Sequence, residues 1–337
     1  MLPFSESERR FMYSFFLLLS IWFFLIGFLS QRLGPSVNRD HLPQLTFVLA
    51  SVLQFNLNYL LIETIQVPRL MGGLLMCLAA ILMSVSLLLP SFRSSLRSHL
   101  SDFIFPVSQL ESTQIPWGPR RLQRLRFIAV WAAIGLTALT QIQMPTVFNW
   151  DSNWYNLSRI PAMIIEQSIF PAHTPVLWQL LHSIAHDLLY LPDIVLGSLR
   201  GMGLICGLEF FVLLGSLYQL TFVLLVTPKP SQTRIQFALL LVTILFLSSD
   251  LQVLQSADSK NDLIIVVTFA ISVCLSVNTP LRREKPFQYF LSILLVALYS
   301  FAAKGYGMVV VIPPLIASTF DVFDGIVSGG AGTRAGG

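Results

Sequence analysis

Three clusters of ionisable residues stand out in a chain that is mostly apolar. The first is Asn149-Trp150-Asp151-Ser152-Asn153-Trp154-Tyr155-Asn156-Leu157-Ser158-Arg159, with an acid close to two tryptophans directly after a long apolar run. The second is Asp258-Ser259-Lys260-Asn261-Asp262, and the third is Lys304 with Tyr306. Ionisable groups at membrane depth or at the ends of spans are costly, which makes each a candidate for function. Two carboxylates and a lysine brought together would suit transfer from a phosphate-linked donor. One acid takes the proton of an acceptor hydroxyl, and a cation neutralises the departing phosphate. Taken singly, each cluster reads instead as the end of a helix in the headgroup region, as Asp250 does.

The elements that must hold these residues are apolar helices. Of 337 residues, 54% are hydrophobic and 11% charged. Soluble domains carry about 25% charged residues, and apolar runs long enough to cross a hydrocarbon core of roughly 30 Å recur throughout. The alternating ten-residue segments of an outer-membrane barrel are absent. The expected fold is all-α: a polytopic transmembrane bundle of about nine spans, with amphipathic surface helices in a large extracytoplasmic loop. The spans fall near 11–29, 45–62, 70–89, 127–144, 202–226, 235–247, 263–277, 289–303 and 308–317. The first run lacks a small-residue cleavage site and reads as a retained span, not a signal peptide. Net charge +4 and a pI near 9.1 reflect arginine-rich loops, not a nucleic-acid footprint.

Orientation comes from the polar stretch 91–126, which carries Arg93, Arg97, Arg120, Arg121, Arg124 and Arg126. Six arginines put it on the cytoplasmic side, so the next span runs outward and Asp151 emerges on the extracytoplasmic face. Counting back gives an external N-terminus, against which Arg9 and Arg10 weigh mildly. Pro106, Pro116, Gly118 and Pro119 are expected to break any long helix in this stretch. In the loop 149–200, Leu177, Leu180, Leu181, Ile184 and Leu188 recur at helical spacing, opposite Gln179, His182, Ser183 and His186. Leu157, Ile160 and Ile164 form a weaker stripe, with Arg159, Glu166 and Gln167 off it. Both patterns suit short helices on a membrane surface.

Other polar residues have plainer readings. His182 and His186 stand four apart beside Asp187, but Ser183 replaces the glutamate of the metalloprotease pattern. A polar helix face is therefore expected rather than a zinc site. Glu209 is a lone acid in a span and needs a partner, expected to be a helix-packing hydrogen bond. Gln54, Asn56 and Asn58 read as amides that tie one helix to another. Cys77, Cys206 and Cys274 lie in apolar runs without paired spacing and read as small hydrophobes.

Asn149-Trp150-Asp151-Ser152-x-x-Tyr155-x-Leu157-x-Arg159 resembles the first external loop of GT-C superfamily polytopic glycosyltransferases. The likeness is to family-39-like enzymes related to the dolichyl-phosphate-mannose protein mannosyltransferases. Leu254-Gln255-Ser256-Ala257-Asp258-Ser259-Lys260-Asn261-Asp262 resembles a second stretch of these proteins, and Ala303-Lys304-Gly305-x-Gly307 before Pro313 resembles a third. The resemblance covers about 126–317. Asn156 stands where relatives often have histidine, and Ser158 with Ile160 alters their proline–arginine pattern.

The resemblance implies inverting transfer of a sugar from a polyprenyl-phosphate donor on the outer face, with Asp151 as general base. It implies that Asp262 and Asn261 lie near the donor phosphate or a divalent cation, which Asp151 and Asp262 would hold. Lys304 would bind phosphate, Arg159 would pair with Asp151 or meet the donor, and Tyr155, His173 and Tyr306 would line the cleft. Partners are then the lipid bilayer, the donor and an acceptor whose identity the sequence does not give. The expected parts are a three-span segment (1–90), a cytoplasmic arginine-rich loop (91–126), a glycosyltransferase-like core (127–320) and a disordered glycine-rich tail (321–337). Relatives continue beyond the third motif, so the chain reads as a C-terminally truncated member. Two competing classes are a secondary transporter, for which paired repeats would be expected, and a non-catalytic scaffold subunit.

Overall fold

A computed structural model describes residues 12–33, 41–65, 67–104, 159–168, 185–198, 200–225, 262–276, 285–304 and 307–332. Every regular element among them is helical. The first four are α1 (Tyr13–Leu33), α2 (Leu42–Thr64), α3 (Pro68–Leu88) and α4 (Pro90–Ile104). Three short helices come next: α5 (Arg159–Glu166), α6 (Ala185–Leu188) and α7 (Leu191–Val195). The last four are α8 (Arg200–Leu225), α9 (Asp262–Ser276), α10 (Pro286–Ala303) and α11 (Met308–Gly332).

Proline sets several of the starts. It occupies one of the first two positions of α2, α3, α7 and α10, where its missing N–H would have no intrahelical partner anyway. Hydroxyls inside the apolar helices bond back to carbonyls one turn earlier, as Ser51 does to Phe47 and Ser272 to Thr268. Such residues bring no unsatisfied group into the apolar interior.

Among the described residues, four helices are long and apolar enough to cross a membrane: Tyr13–Arg32, Leu42–Thr64, Pro68–Leu88 and Pro286–Ala303. They indicate a lipid-bilayer environment. Shorter apolar stretches occupy Leu204–Leu217, Leu263–Ser276 and Val311–Phe323. The expected spans 127–144 and 235–247 lie outside the described residues.

Two hydrogen bonds set the register of the α9–α10 hairpin. Thr268 Oγ1 donates to Ser300 Oγ at 3.0 Å and Tyr289 OH to Ser276 Oγ at 3.1 Å, so the helices are antiparallel and the start of α9 lies beside the end of α10. Cys274 Sγ donates to the Ser216 carbonyl at 2.9 Å. Glu209 lies within electrostatic range of Tyr299, next to the Thr268–Ser300 contact, so α8 and α9 run parallel. α1 and α2 are antiparallel: Trp22 Nε1 donates to the Pro43 carbonyl at 2.8 Å, and Gln54 Nε2 reaches the Ser14 carbonyl at 3.4 Å.

These pairings put the starts of α1, α8 and α9, the end of α10 and the short helices α6 and α7 at one end of the bundle, here the loop end. The core between the helices holds Leu17, Trp22, Phe47, Leu214, Ile264 and Val296, each at most 2% exposed.

Residues 90–104, ahead of the prolines expected to break the chain, form a helix: Pro90 opens α4, and Phe92, Leu96 and His99 supply a buried face at helical spacing. Two expectations are corrected. The stretch from 321 is not disordered as far as Gly332, because α11 runs through it and through Pro313 and Pro314. Its exposed stripe Val309, Ile312, Ile316, Phe320 and Phe323 repeats every three or four residues, a helical period that carries past 321. Finally, α6, the described end of the stripe 177–188 expected on a membrane surface, is packed into the bundle, as is α7 after it.

Candidate functional site

All nine residues from Ala185 to Asp193 are buried. This segment turns twice within a few residues, so its backbone cannot satisfy itself as a long helix does. In a bilayer such backbone is tolerated only where protein shields it. α2 provides that shielding. Gln54 Nε2 donates to the Leu189 carbonyl at 2.9 Å, and Asn58 Nδ2 to the Leu188 carbonyl at 2.6 Å. The two amides are one turn apart and grip consecutive carbonyls. Asn56, on the other side of α2, is exposed and bonds back to Val52.

The segment also carries two adjacent ionisable residues that point to different partners, since neighbours on a helix are about 100° apart. His186 Nε2 meets Glu209 Oε1 of α8 at 2.9 Å, with both side chains fully buried. Asp187 forms an ion pair with Arg159 at the first position of α5, their side chains 0% and 1% exposed. Tyr190 packs edge-on to His186, centroids 5.3 Å apart, and its hydroxyl lies 3.5 Å from Cys206 Sγ. Burial, with Cys206 and Glu209 adding to it, holds the Tyr190 phenol well above its usual pKa and therefore neutral.

Asp193 closes the segment against α1. The Ser14 backbone N–H donates to Asp193 Oδ1 at 3.3 Å, and the Asp193 N–H donates to Ser14 Oγ at 3.1 Å. This is a reciprocal cap made between residues 179 apart in sequence, satisfying a donor in the first turn of α1 that has no intrahelical partner. Burial pushes the Asp193 carboxyl up to about 7, with hydrogen bonds from Ser14 and Tyr13 acting against it. Among the described residues its Oδ2 has no hydrogen-bond partner. α7 then stops at Gly197, whose φ of 75° lies in the left-handed region. There the Ser198 N–H reaches the Asp193 carbonyl at 2.7 Å and the Gly197 N–H the Ile194 carbonyl at 3.3 Å, a glycine-closed helix end.

The buried position of His186 overturns the expected polar surface face. Leu188 and His186 are both withdrawn from solvent because α2, α8 and α10 surround the segment, so there is no outward side. In α5, Arg159 joins Ile160 and Met163 on the buried face and Ile165 is 80% exposed, because Asp187 draws the guanidinium inward. Glu209 has the packing partner its isolation demanded. The partner is His186, which no local pattern identifies.

Of the three sequence clusters, the structure describes parts of each. Asp151, Tyr155, His173, Asn261 and Tyr306 lie outside the described residues, as does His182. Asp262 is the first residue of α9, and Lys304 is the half-buried residue that ends α10, its N–H on the Ser300 carbonyl at 3.0 Å. The hairpin register sets residue 262 beside the Lys304 turn. Gly307 seals that turn: a side chain there would run into Ile265 of α9 and into Ser300, and Ser300 Oγ donates to the Gly307 carbonyl at 3.0 Å. Glu209, level with Thr268, sits six residues below Asp262, roughly 9 Å along the axis. The loop end therefore has two layers: a closed layer of buried pairs, and above it a rim where α9 begins and α10 ends.

The closed layer fastens the 185–193 segment to α1, α2, α5 and α8. The rim brings the first residue of α9, Asp262, to the level of Lys304. Among the described residues no group of three or more His, Cys, Asp or Glu side chains is gathered as for a metal ion. Compared with known proteins, the chain matches no family model, no curated protein and no solved structure.

Proposed function

We propose that the chain is a multi-pass membrane glycosyltransferase that moves a sugar from a polyprenyl-phosphate donor to an acceptor on the extracytoplasmic face. The observation that supports this reading is the hairpin register, which sets the start of α9 at Asp262 beside the Lys304 turn. Arg159, eight residues after Asp151, is fastened to the same end of the bundle through Asp187. The described residues of the three motifs, Arg159, Asp262 and Lys304, thereby share one end.

In the proposed reaction, the Asp151 carboxylate takes the proton of an acceptor hydroxyl as its oxygen attacks the anomeric carbon. The glycosyl–phosphate bond breaks and the polyprenyl phosphate leaves with the electron pair. Lys304 offsets the charge developing on that phosphate, and Asp262 with Asn261 orients the donor. Arg159 is a positioning residue, since its guanidinium is turned into the bundle. Tyr155, His173 and Tyr306 would line the cleft.

The test is Asp151→Asn in full-length protein, reconstituted with a labelled polyprenyl-phosphate hexose and native membrane extract as acceptor. Release of polyprenyl phosphate should fall by about 10²- to 10⁴-fold, with expression and insertion unchanged. Near-normal release would remove Asp151 from the mechanism. Solute flux by the wild type without sugar transfer would favour a transporter instead.

A further inference from the structure

We infer that α4 is a binding surface for anionic phospholipid, seated on the headgroup layer at the end of the bundle opposite the loop. The inference rests on the placement of the helix and not on the catalytic reading. α3 reaches that end with Leu87, Leu88 and Leu89 exposed, Leu88 at 77%. A run of exposed leucines at the end of an apolar helix belongs in acyl chains, which fixes the level of the next element. One residue later comes Pro90, opening a helix that bears arginines. α4 therefore begins at the boundary between hydrocarbon and headgroups.

Its faces are sorted accordingly. Phe92, Leu96 and His99 are buried against α1; the Phe92 ring packs tilted against Phe24, ring centroids 5.7 Å apart, and His99 Nε2 meets Ser30 Oγ at 3.0 Å. Gly27 makes room for this approach, since a side chain there would run into the Phe92 ring. Arg93 and Arg97 follow one another by a single turn on one flank, and both are exposed. Arg32, in the last turn of α1, is exposed at the same level, its Cζ 5.7 Å from the Phe28 ring centroid. Neither Arg93 nor Arg97 has an acidic partner among the described residues. Three guanidiniums thus stand beside an apolar anchor at headgroup level, a combination that matches a phosphodiester bearing a net negative charge.

A fluorescent phosphatidylglycerol titrated into full-length protein in neutral detergent tests this. Affinity should exceed that for the matching phosphatidylcholine and should fall roughly fivefold for each of Arg93→Gln and Arg97→Gln. Raising NaCl from about 0.1 to about 0.5 M should weaken wild-type binding, because surface charges are screened over a shorter length. Arg69→Gln, an exposed arginine at the loop end, should leave the affinity unchanged. The inference is overturned if the double variant binds within about twofold of wild type, if Arg69→Gln lowers affinity equally, or if wild-type binding ignores salt. The salt series needs no variant and decides the question even if a substitution prevents folding.

Discussion

Arg159 and Asp187 form an ion pair with both side chains withdrawn from solvent, and such pairs respond asymmetrically to mutation. Removing one partner leaves a charge buried without compensation, at about 3–5 kcal/mol, whereas replacing both by apolar groups of similar volume costs far less. Arg159→Met and Asp187→Leu should therefore each destabilise strongly, and the double variant should recover much of the loss. Thermal unfolding of the four proteins in one detergent gives the coupling. Additive losses would mean that the two residues act independently. Asp193 makes a different prediction. Its pKa is about 7 in the fold and near 3.9 unfolded, so between these values the folded state binds more protons. Stability should then fall as pH rises from about 4 through about 7, by on the order of a few kcal/mol in all. Asp193→Asn should flatten that limb of the pH–stability profile. An unchanged slope in the variant would assign the dependence to another group.

Among the helices, the α10–α11 turn is the least forgiving. A Cβ at Gly307 meets the backbone carbonyl of Ser300 as well as Ile265, and a backbone carbonyl cannot swing aside as a side-chain tip can. Gly307→Ala should cost about 1–3 kcal/mol, the range for overpacking. It should also loosen the Thr268–Ser300–Gly307 bonds that hold the Lys304 turn against α9. Gly73, where a Cβ would meet nothing within 4 Å, gives the control. Gly73→Ala should be neutral or stabilising by up to about 1 kcal/mol, through better helix propensity. Melting temperatures of the two variants measure both effects, and equal shifts would refute the packing argument.

For the molecule as a whole, legibility divides between helices and the segments threaded among them. The lengths of the apolar runs give α1, α2 and α3 to within a few residues, because crossing a hydrocarbon core imposes a length on the sequence. The chemistry of Glu209 was legible too, since a lone acid in an apolar helix must find a partner. The burial of 185–193 was not. Its leucines and polar residues alternate as they would on a surface, and the helices that bury them lie elsewhere in the chain, with partners on α1 and α2 130 to 179 positions earlier and Glu209 of α8 later. The helical course of 321–332 was likewise obscured by its glycines, because the apolar stripe that continues there is short. For the candidate site, pattern matching could name Asp262 and Lys304, while their shared end comes from hydroxyl pairs that have no motif.

The grip of α2 on the 185–193 segment has a consequence for how the protein is made. Gln54 and Asn58 find their carbonyl partners 135 and 130 residues later in the chain. At translation speeds of about 5–20 residues per second, that interval is on the order of ten seconds. Throughout it, α2 stands in or near the bilayer with the Asn58 amide without its loop partner and Gln54 reaching only the Ser14 carbonyl at 3.4 Å. Some temporary host for polar side chains, whether water in the translocation pore or a chaperoning membrane factor, has to keep them until the loop arrives.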